Sequence, residues 1–364
     1  MVMVRAGGLL HHVARLGPED APGAPPVAVF LHGAFIDTLA SFYFTLAPAF
    51  AAHGWDTVMY DLRGHGRSER PPTGYRVEDF TADLDALLDA LGLSDPVHLV
   101  GNSFGATLAF DFAVHHPDRV ASLTAVEGCP AGSGWAEAMA GALHRATETL
   151  PEDQALAWFT EQYGTVSSTR TGDPVHDARI ARLGRNAGRL IRATTITRDI
   201  PRSRRPTADQ LAALRCPVLL VNGEHGLVAT ESAHLTAVLP RCRRVIVPGH
   251  KHSVLVEAPT EVTALTLDWL DEHTHTHPTP TTPGSAHPAS TVPDAAHPAS
   301  TLPDAAHPAS PAPHAVHPAA TVPGEARPGS TTPDAAHPAG TTPHAVHPAP
   351  TTPHAVHPVT GTAR

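Results

Sequence analysis

A serine between two glycines and a pair of histidines late in the chain are the residues best suited to chemistry in this sequence. Ser103 lies within GNSFG, residues 101–105, which fits the pattern G-x-S-x-G. A serine hydroxyl becomes an effective nucleophile when a neighbouring base takes its proton, and histidine commonly serves as that base. His250 and His252 are the two candidates. These residue types predict acyl transfer through a covalent acyl-serine intermediate.

The residues around Ser103 predict a strand, a tight turn and a helix. Val97–Val100 is a short apolar run with one polar residue, which is typical of a buried strand, and Thr107–His115 is largely apolar and predicts a helix. A serine on such a turn forms a nucleophile elbow, at the helix terminus that favours negative charge. These flanking elements support Ser103 as the nucleophile better than the motif alone, which also fits a Gly-rich turn with a solvated serine.

Acyl transfer also needs N–H donors aimed at the oxygen on which negative charge develops. The backbone N–H of Phe104, directly after the nucleophile, is the first candidate. The second lies in the turn after Val27–Leu31, an apolar run that predicts a strand covered on both faces. Ala34 and Phe35 both lie in that turn, and either one is predicted to supply the second donor.

Strand and helix patterns alternate along residues 1–273, which predicts an α/β fold with a doubly wound, mostly parallel sheet. Leu9–Leu16 predicts an early strand, and Leu39–His53 predicts one helix. Residues 133–205 interrupt the alternation, because they have helical patterns and no strand pattern. We therefore predict a domain over residues 1–273 with a helical lid at about 133–205.

From residue 274 the composition changes. The segment repeats with a period of ten, for example AHPAS at residues 286–290, 296–300 and 306–310. Dense proline removes backbone donors, and a segment without an apolar face has no core to bury. We predict that residues 274–364 form a disordered low-complexity tail that the chemistry does not need. Its histidines, such as His275 and His277, lack preorganisation, so no metal site is predicted.

Composition limits the partners and the compartment. The formal net charge is −10, which argues against nucleic acid, because phosphate binding needs a basic surface. The cysteines, Cys129, Cys216 and Cys242, show no paired spacing and favour a reducing compartment. The first residues lack the apolar run of a signal peptide, and no run approaches the length of a membrane span. We therefore expect a cytoplasmic protein that neither enters a membrane nor binds nucleic acid.

Four motifs together resemble the α/β-hydrolase fold superfamily. They are HG at residues 32–33, DLRGHGRS at 61–68, GNSFG at 101–105 and the stretch 252–259, in the order and spacing of that family. The resemblance covers nearly all of residues 9–272. It also implies that His252 is the base, because family members place the catalytic histidine five residues before Glu-Ala-Pro, which begins here at Glu257.

The third residue of the triad departs from the family pattern. The family usually places an aspartate a few residues after the strand Val218–Val221, but Gly226 and Leu227 occupy those positions here. Glu127, at the end of an earlier predicted strand, is the preferred substitute and resembles the position used by haloalkane dehalogenases and some lipases. Glu224 is a second candidate. The third alternative is a site without an acid, either a Ser–His dyad or an impaired enzyme.

The resemblance is specific for the fold and says little about the substrate. From the Ser–His pair we expect hydrolysis of a carboxylic ester, a thioester or a lactone, with a small-molecule acyl substrate and an acyl-Ser103 intermediate. This mechanism needs no cofactor or metal, since serine, histidine and N–H donors supply the nucleophile, the base and the oxyanion hole. Haloalkane dehalogenases and epoxide hydrolases use an aspartate nucleophile, so Ser103 argues against those two reactions. Two alternatives remain: C–C cleavage or elimination by the same Ser–His pair, and an impaired member that binds a small ligand.

Arginines of the predicted lid recur at spacings of three and four and therefore share one helix face. They are Arg179, Arg182, Arg185, Arg189 and Arg192. The stripe is either a solvated face or, where it reaches the pocket mouth, a site that receives an anionic substrate. An aromatic lid core is predicted from Trp135, Trp158, Phe159 and Tyr163.

Overall fold

The structure is a computed structural model that describes residues 1–18, 24–144 and 173–274. Its strands are β1 (Val2–Ala6), β2 (Leu9–Leu16), β3 (Val27–Leu31), β4 (Asp56–Tyr60), β5 (Val97–Asn102), β6 (Val120–Val126), β7 (Val218–Gly223) and β8 (Cys242–Val247). They form one sheet in the order β1-β2-β4-β3-β5-β6-β7-β8. β1 and β2 pair antiparallel to their neighbours, and β3 to β8 pair in parallel. The predicted α/β fold with a mostly parallel sheet is confirmed.

Helices connect the parallel strands. In the described ranges they are α1 (Ala40–Tyr43), α2 (Ala47–Ala52), α3 (Val77–Ala90), α4 (Phe104–His115), α5 (Ser133–His144), α6 (Pro174–Ala193), α7 (Ile196–Asp199), α8 (Ala208–Ala212), α9 (Ala229–Val238), α10 (Val254–Glu257) and α11 (Pro259–Thr274). The prediction of one helix over Leu39–His53 is wrong, because this segment forms α1 and α2 instead. Pro48 lies in the first turn of α2, where a helix continuing from α1 would lose a hydrogen bond.

The strands explain why the sheet is covered on both faces. Every residue of β4, β6 and β7 is buried, and a parallel strand buried on both sides requires helices above and below it. Leu220 of β7 belongs to the core layer that includes Phe110 of α4. Its neighbour Leu219 belongs to the opposite layer, with Phe50 of α2 and Trp269 of α11. Burial of each large apolar side chain in these layers stabilises the folded state by about 1.5–3 kcal/mol.

Helix α4 is buried over most of its length. All residues from Phe104 to Ala113 are buried, and this burial explains why most of them are apolar, with Thr107 and Asp111 as the polar exceptions. The helix begins directly after the end of β5. Its first residue therefore lies at the edge of the sheet where the parallel strands end, which is the usual edge for ligand binding in open α/β sheets.

The described parts of the predicted lid are helical. α5, α6 and α7 fall within 133–205, whereas residues 145–172 lie outside the described residues. The end of this region is fastened to the helices that flank Ser103. The Val77 N–H at the start of α3 donates to Ser203 Oγ at 2.9 Å, and Arg204 Nε donates to the buried carboxylate of Asp111 in α4 at 2.8 Å.

The predicted tail begins at residue 274. Thr274 is the last residue of α11, and residues 275–364 lie outside the described residues. Among the helices described above, none is long and apolar enough to cross a membrane.

Candidate active site

Ser103 lies in the turn between β5 and α4 and has a strained backbone. Its φ is 53° and its ψ is −116°, and a non-glycine residue with such a φ costs on the order of 1–3 kcal/mol. Neighbouring backbone holds it in place, since the Ser103 N–H donates to the carbonyl of Val126 at 2.9 Å. The start of α4 lies so close to the end of β3 that residue 105 must be glycine, because a Cβ there would lie 1.9 Å from the carbonyl oxygen of Leu31. The predicted sequence of strand, tight turn and helix is therefore present at Ser103.

His252 lies in the loop between β8 and α10. Its Nε2 is 3.0 Å from Ser103 Oγ, and its Nδ1 is 3.1 Å from Glu127 Oε2. An ionised carboxylate only accepts hydrogen bonds, so Nδ1 carries the proton and donates to Glu127. Nε2 then accepts the hydrogen bond of the Ser103 hydroxyl. In this orientation the imidazole is able to take the hydroxyl proton.

Glu127 directly follows β6 and is fully buried. Its φ of 49° is also in the left-handed region, and its N–H donates to the carbonyl of Val221 at 2.9 Å. Its Oε1 accepts the N–H of Gly223 at 2.6 Å. A buried carboxylate needs such partners, because an isolated charge is costly to desolvate. The ends of β6 and β7 thus hold this carboxylate beside His252, and the structure brings Ser103, His252 and Glu127 together.

Glu224 and His250, the other candidates, have different neighbours. Glu224 Oε2 accepts the N–H of Gly249 at 2.9 Å, and its side chain is 53% exposed. His250 Nδ1 lies 3.2 Å from Glu257 Oε2. Glu224 therefore holds the turn after β8, and His250 pairs with the end of α10.

The turn after β3 lies beside the elbow, since a Cβ on Gly33 would be 3.5 Å from the Cβ of the nucleophile. The N–H of Phe35 in this turn donates to Nε2 of His65 at 2.9 Å. This contact corrects the prediction of Phe35 as an oxyanion donor and leaves Ala34 as the candidate in the turn. Within the described part of the chain, neither the Ala34 N–H nor the Phe104 N–H forms a hydrogen bond.

Two histidines connect the turn after β3 with the loop after β4, and the sequence alone assigned neither of them a role. His65, in the loop after β4, is neutral, because burial lowers its pKa to about 3. Its Nδ1 donates to the carbonyl of Arg63 at 2.9 Å, which leaves Nε2 to accept from Phe35. His32 Nε2 accepts the N–H of Leu62 at 3.0 Å. Both histidines belong to the motifs HG and DLRGHGRS, but each reaches a residue 30 positions away, and no local pattern reports such a pairing.

Aromatic rings form an apolar wall next to the elbow. The ring of Trp135 in α5 stacks on that of Phe104, with centroids 6.4 Å apart and an interplanar angle of 11°. Phe80 of α3 meets Phe104 edge-on, with centroids 5.2 Å apart. Trp135 thus packs against the residue that follows the nucleophile. Outside the described residues lie the other predicted lid aromatics, Trp158, Phe159 and Tyr163.

The arginine stripe lies on the surface of α6. Its described members are exposed and, with Asn186, line a concavity of about 420 Å³; they are Arg182, Arg185, Arg189 and Arg192. Ala187 and Leu190 of the same helix are buried in the core. At 100° per residue these two lie on the opposite side of the helix from the stripe. The arrangement favours the interpretation of a solvated face.

Comparison with known proteins assigns the fold to a family. The sequence profile of the alpha/beta hydrolase fold matches residues 26–259, which is more than half of the chain, and the chain belongs to this family. Epoxide hydrolase B of Mycobacterium tuberculosis is 36% identical over 130 residues, which are 35% of this chain and 35% of that enzyme. The match therefore spans about a third of the length of that relative.

Two further relatives match over a larger part of their length. The 2-(acetamidomethylene)succinate hydrolase of Mesorhizobium japonicum is 26% identical over 247 residues, which are 65% of this chain and 85% of that enzyme. Among solved structures, Est816, described as an N-acyl homoserine lactone degrading enzyme, is similar with a TM-score of 0.58 and 25% identity. This similarity covers 74% of this chain and 100% of Est816.

Proposed function

We propose that this chain hydrolyses a carboxylic ester, a thioester or a lactone through an acyl-Ser103 intermediate. The observation that supports this most directly is one continuous hydrogen-bonded series. Ser103 Oγ is 3.0 Å from His252 Nε2, and His252 Nδ1 is 3.1 Å from Glu127 Oε2. A nucleophile, its base and an orienting carboxylate in this order meet the requirement for acyl transfer by serine.

In the proposed reaction, Ser103 Oγ attacks the carbonyl carbon while its proton passes to His252 Nε2. The carbonyl oxygen becomes an oxyanion and accepts hydrogen bonds from the N–H groups of Ala34 and Phe104. Removal of one such donor typically lowers kcat by about 10²–10³-fold. His252 then gives its proton to the leaving alcohol or thiol. Water, activated by His252, attacks the acyl-serine and releases the carboxylic acid. Glu127 keeps Nδ1 protonated and stabilises the imidazolium.

The relatives are consistent with hydrolysis at this site. The Mesorhizobium hydrolase matches over most of its own length, and Est816 is described as a lactone degrading enzyme. Epoxide hydrolase B matches over a shorter part, and epoxide hydrolases of this superfamily use an aspartate nucleophile. Because a serine occupies this position here, we infer acyl substrates for this chain.

A fluorophosphonate probe and a short activated ester test the proposal together. We expect the probe to label the wild-type protein and the ester to give a burst followed by steady turnover, because both report an acylated serine. Ser103→Ala should lose the labelling and at least roughly 10³-fold of kcat, since the rest of the site retains only oxyanion stabilisation and binding.

The matched control is Ser94→Ala, which changes an exposed serine outside the site. It should label and turn over like the wild type. Equal labelling of the wild type and Ser103→Ala would refute Ser103 as the nucleophile. A labelled protein that turns over no ester, thioester or lactone would instead favour the impaired ligand-binding alternative.

A further inference from the structure

Gly226 lies directly against the carboxylate of Glu127. A Cβ built on Gly226 would be 2.0 Å from Oε1, 2.5 Å from Oε2 and 2.6 Å from Cδ of Glu127. Gly226 is also one of the two positions at which the family usually carries its aspartate. The carboxylate of Glu127 therefore fills the space that a side chain at position 226 would take.

Backbone conformation does not explain this glycine. Positive φ values occur at several described glycines, such as Gly64 and Gly249, but Gly226 is not one of them. An L-residue is therefore compatible with the backbone at position 226, and the three atoms nearest to a Cβ there all belong to the Glu127 carboxyl group. What the glycine supplies is space.

The loop around Gly226 is tied on both sides and has little freedom to retreat. The Gly226 N–H donates to the carbonyl of Gly223 at 3.0 Å, and the His225 N–H donates to the carbonyl of His250 at 2.9 Å. On the following side, the Ala229 N–H donates to the carbonyl of Gly226 at 3.4 Å. A side chain at position 226 must therefore displace the carboxylate rather than the loop.

We propose that Gly226 is a positioning residue for the Glu127 carboxylate, and that positions 127 and 226 are two mutually exclusive places for the acid that orients His252. The inference rests on the proposed function of the Ser103–His252 pair. Glu127 acts there only because no side chain stands at position 226. Conversely, an aspartate at position 226 has room beside His252 only when the Glu127 side chain is absent or displaced.

The size of the effect follows from the distances. Real Cβ contacts are not shorter than 3.0 Å, so the carboxylate must move by at least about 1 Å to accommodate an alanine at position 226. That movement breaks its bonds to the Gly223 N–H, at 2.6 Å, and to His252 Nδ1, at 3.1 Å. A misplacement of about 1 Å in a catalytic group can cost roughly 10²-fold in rate.

The first test is Gly226→Ala, which should lower kcat roughly 10²-fold and leave KM within about twofold, because the imidazole loses its orientation but the substrate pocket is kept. Gly132→Ala is the matched control. Gly132 also lacks a positive φ, and a Cβ there would meet nothing within 4 Å, so this variant should behave like the wild type. An unchanged kcat in Gly226→Ala would overturn the proposal.

The second test exchanges the two positions. Glu127→Gly should lose roughly 10⁴-fold in kcat, as expected for loss of the orienting acid, and the φ of 49° at this position suits a glycine. Glu127→Gly/Gly226→Asp should recover at least about tenfold over that single variant, whereas Gly226→Asp alone should remain impaired because two carboxylates share one space. A folded double variant no more active than Glu127→Gly would refute the exchange.

A third readout separates this inference from the proposed function. In Ser103→Ala, the His252 Nδ1–H that donates to Glu127 should give a protected, strongly downfield-shifted proton resonance. Adding Gly226→Ala should abolish the resonance, and adding Gly132→Ala should preserve it. Its survival in Ser103→Ala/Gly226→Ala would refute the role of Gly226 whatever the substrate. Absence of fluorophosphonate labelling in the wild type would refute the proposed function instead.

Discussion

At the scale of single residues, Glu127 combines complete burial with a strained backbone. Its side chain is fully buried and its φ is 49°. Two donors offset the loss of hydration: the Gly223 N–H at 2.6 Å and the His252 Nδ1–H at 3.1 Å. Removing one partner of a buried hydrogen bond leaves the other group unsatisfied, which costs about 1–3 kcal/mol and more for a charged group. The carboxylate and the imidazole therefore depend on each other for their positions.

Glu127→Gln should reduce kcat by roughly 10⁴-fold with a small effect on KM. The amide no longer enforces the tautomer in which Nδ1 carries the proton, and an equivalent change in a serine triad has an effect of this size. Steady-state kinetics with the activated ester measure it. Glu224→Gln is the matched control and should stay within about twofold, because Glu224 bonds to the Gly249 N–H at the protein surface. A large loss in Glu224→Gln with little loss in Glu127→Gln would reverse the assignment of the acid.

The sequence predicts some of these residues better than others, for physical reasons. Ser103 is marked by a local motif whose turn geometry depends on its immediate neighbours, and such local signals are readable. Glu127 remains one of three alternatives at the sequence level, because its role depends on its distance to His252, 125 positions later. Phe35 is wrongly predicted as a donor because its N–H is engaged by His65, a partner outside the turn.

At the scale of elements, two loops brace each other at the edge of the sheet. The loop after β4 contributes His65, which accepts the Phe35 N–H from the turn after β3 at 2.9 Å. Phe35 has a φ of 66°, so the turn adopts a backbone conformation that needs support. Because this acceptor must stay unprotonated, the shape of the proposed oxyanion turn is linked to the charge state of a buried histidine.

The stability of the protein should therefore fall as the pH is lowered from neutrality. The pKa of folded His65 is about 3, below its ordinary value of 6.5, because burial disfavours the charged form. Unfolding thus takes up a proton between these two pH values, so this contribution to stability is fully present above about pH 6.5 and is lost toward pH 3. One proton corresponds to at most about 1.4 kcal/mol per pH unit.

Urea unfolding at several pH values between about 7 and 5 measures this slope. His65→Gln, which keeps an acceptor without the titrating ring, should make the slope shallower by up to one proton. His234→Gln is the control, since His234 is exposed on α9, and it should keep the slope of the wild type. An equal slope in His65→Gln and the wild type would show that another group causes the loss of stability at low pH.

At the scale of the whole molecule, the alternation of patterns is enough to predict a mostly parallel sheet but not its first strand. Residues 2–6 form β1 although most of them are exposed. Pairing supports this strand, since β1 lies antiparallel to β2 with Val4 opposite His11. An exposed edge strand has a weak apolar pattern. Whether such a segment forms a strand therefore depends on its pairing partner more than on its own residues. The contacts of the lid end are non-local in the same way, whereas the break within 39–53 has a local cause in Pro48.

The last described helix, α11, ends at Thr274, and we expect a truncation after this residue to leave kcat/KM and the melting temperature unchanged. The four buried residues of α11 are retained in that truncation; they are Val262, Thr266, Trp269 and Leu270. Steady-state kinetics and thermal unfolding provide the measurement. A large drop in either quantity would refute the prediction that the chemistry does not need the tail.

A truncation after Asp268 is the matched control, because it removes the buried side chains of Trp269 and Leu270. Loss of a large core side chain costs about 2–5 kcal/mol, so this shorter chain should unfold at a clearly lower temperature. Equal stability of the two truncations would mean that Trp269 and Leu270 contribute nothing to stability, in contradiction to their burial.

The contact between Gly226 and the Glu127 carboxylate also constrains how such a site can change in descent. A chain with both acids has two carboxylates within one space, since even a Cβ at position 226 would lie 2.0 Å from Oε1. Single substitutions that lead from one arrangement to the other therefore pass through a chain in which two acids crowd each other or through a chain with neither acid, and both intermediates are expected to be impaired. The two positions are therefore epistatic: the effect of an acid at one position depends on the residue at the other.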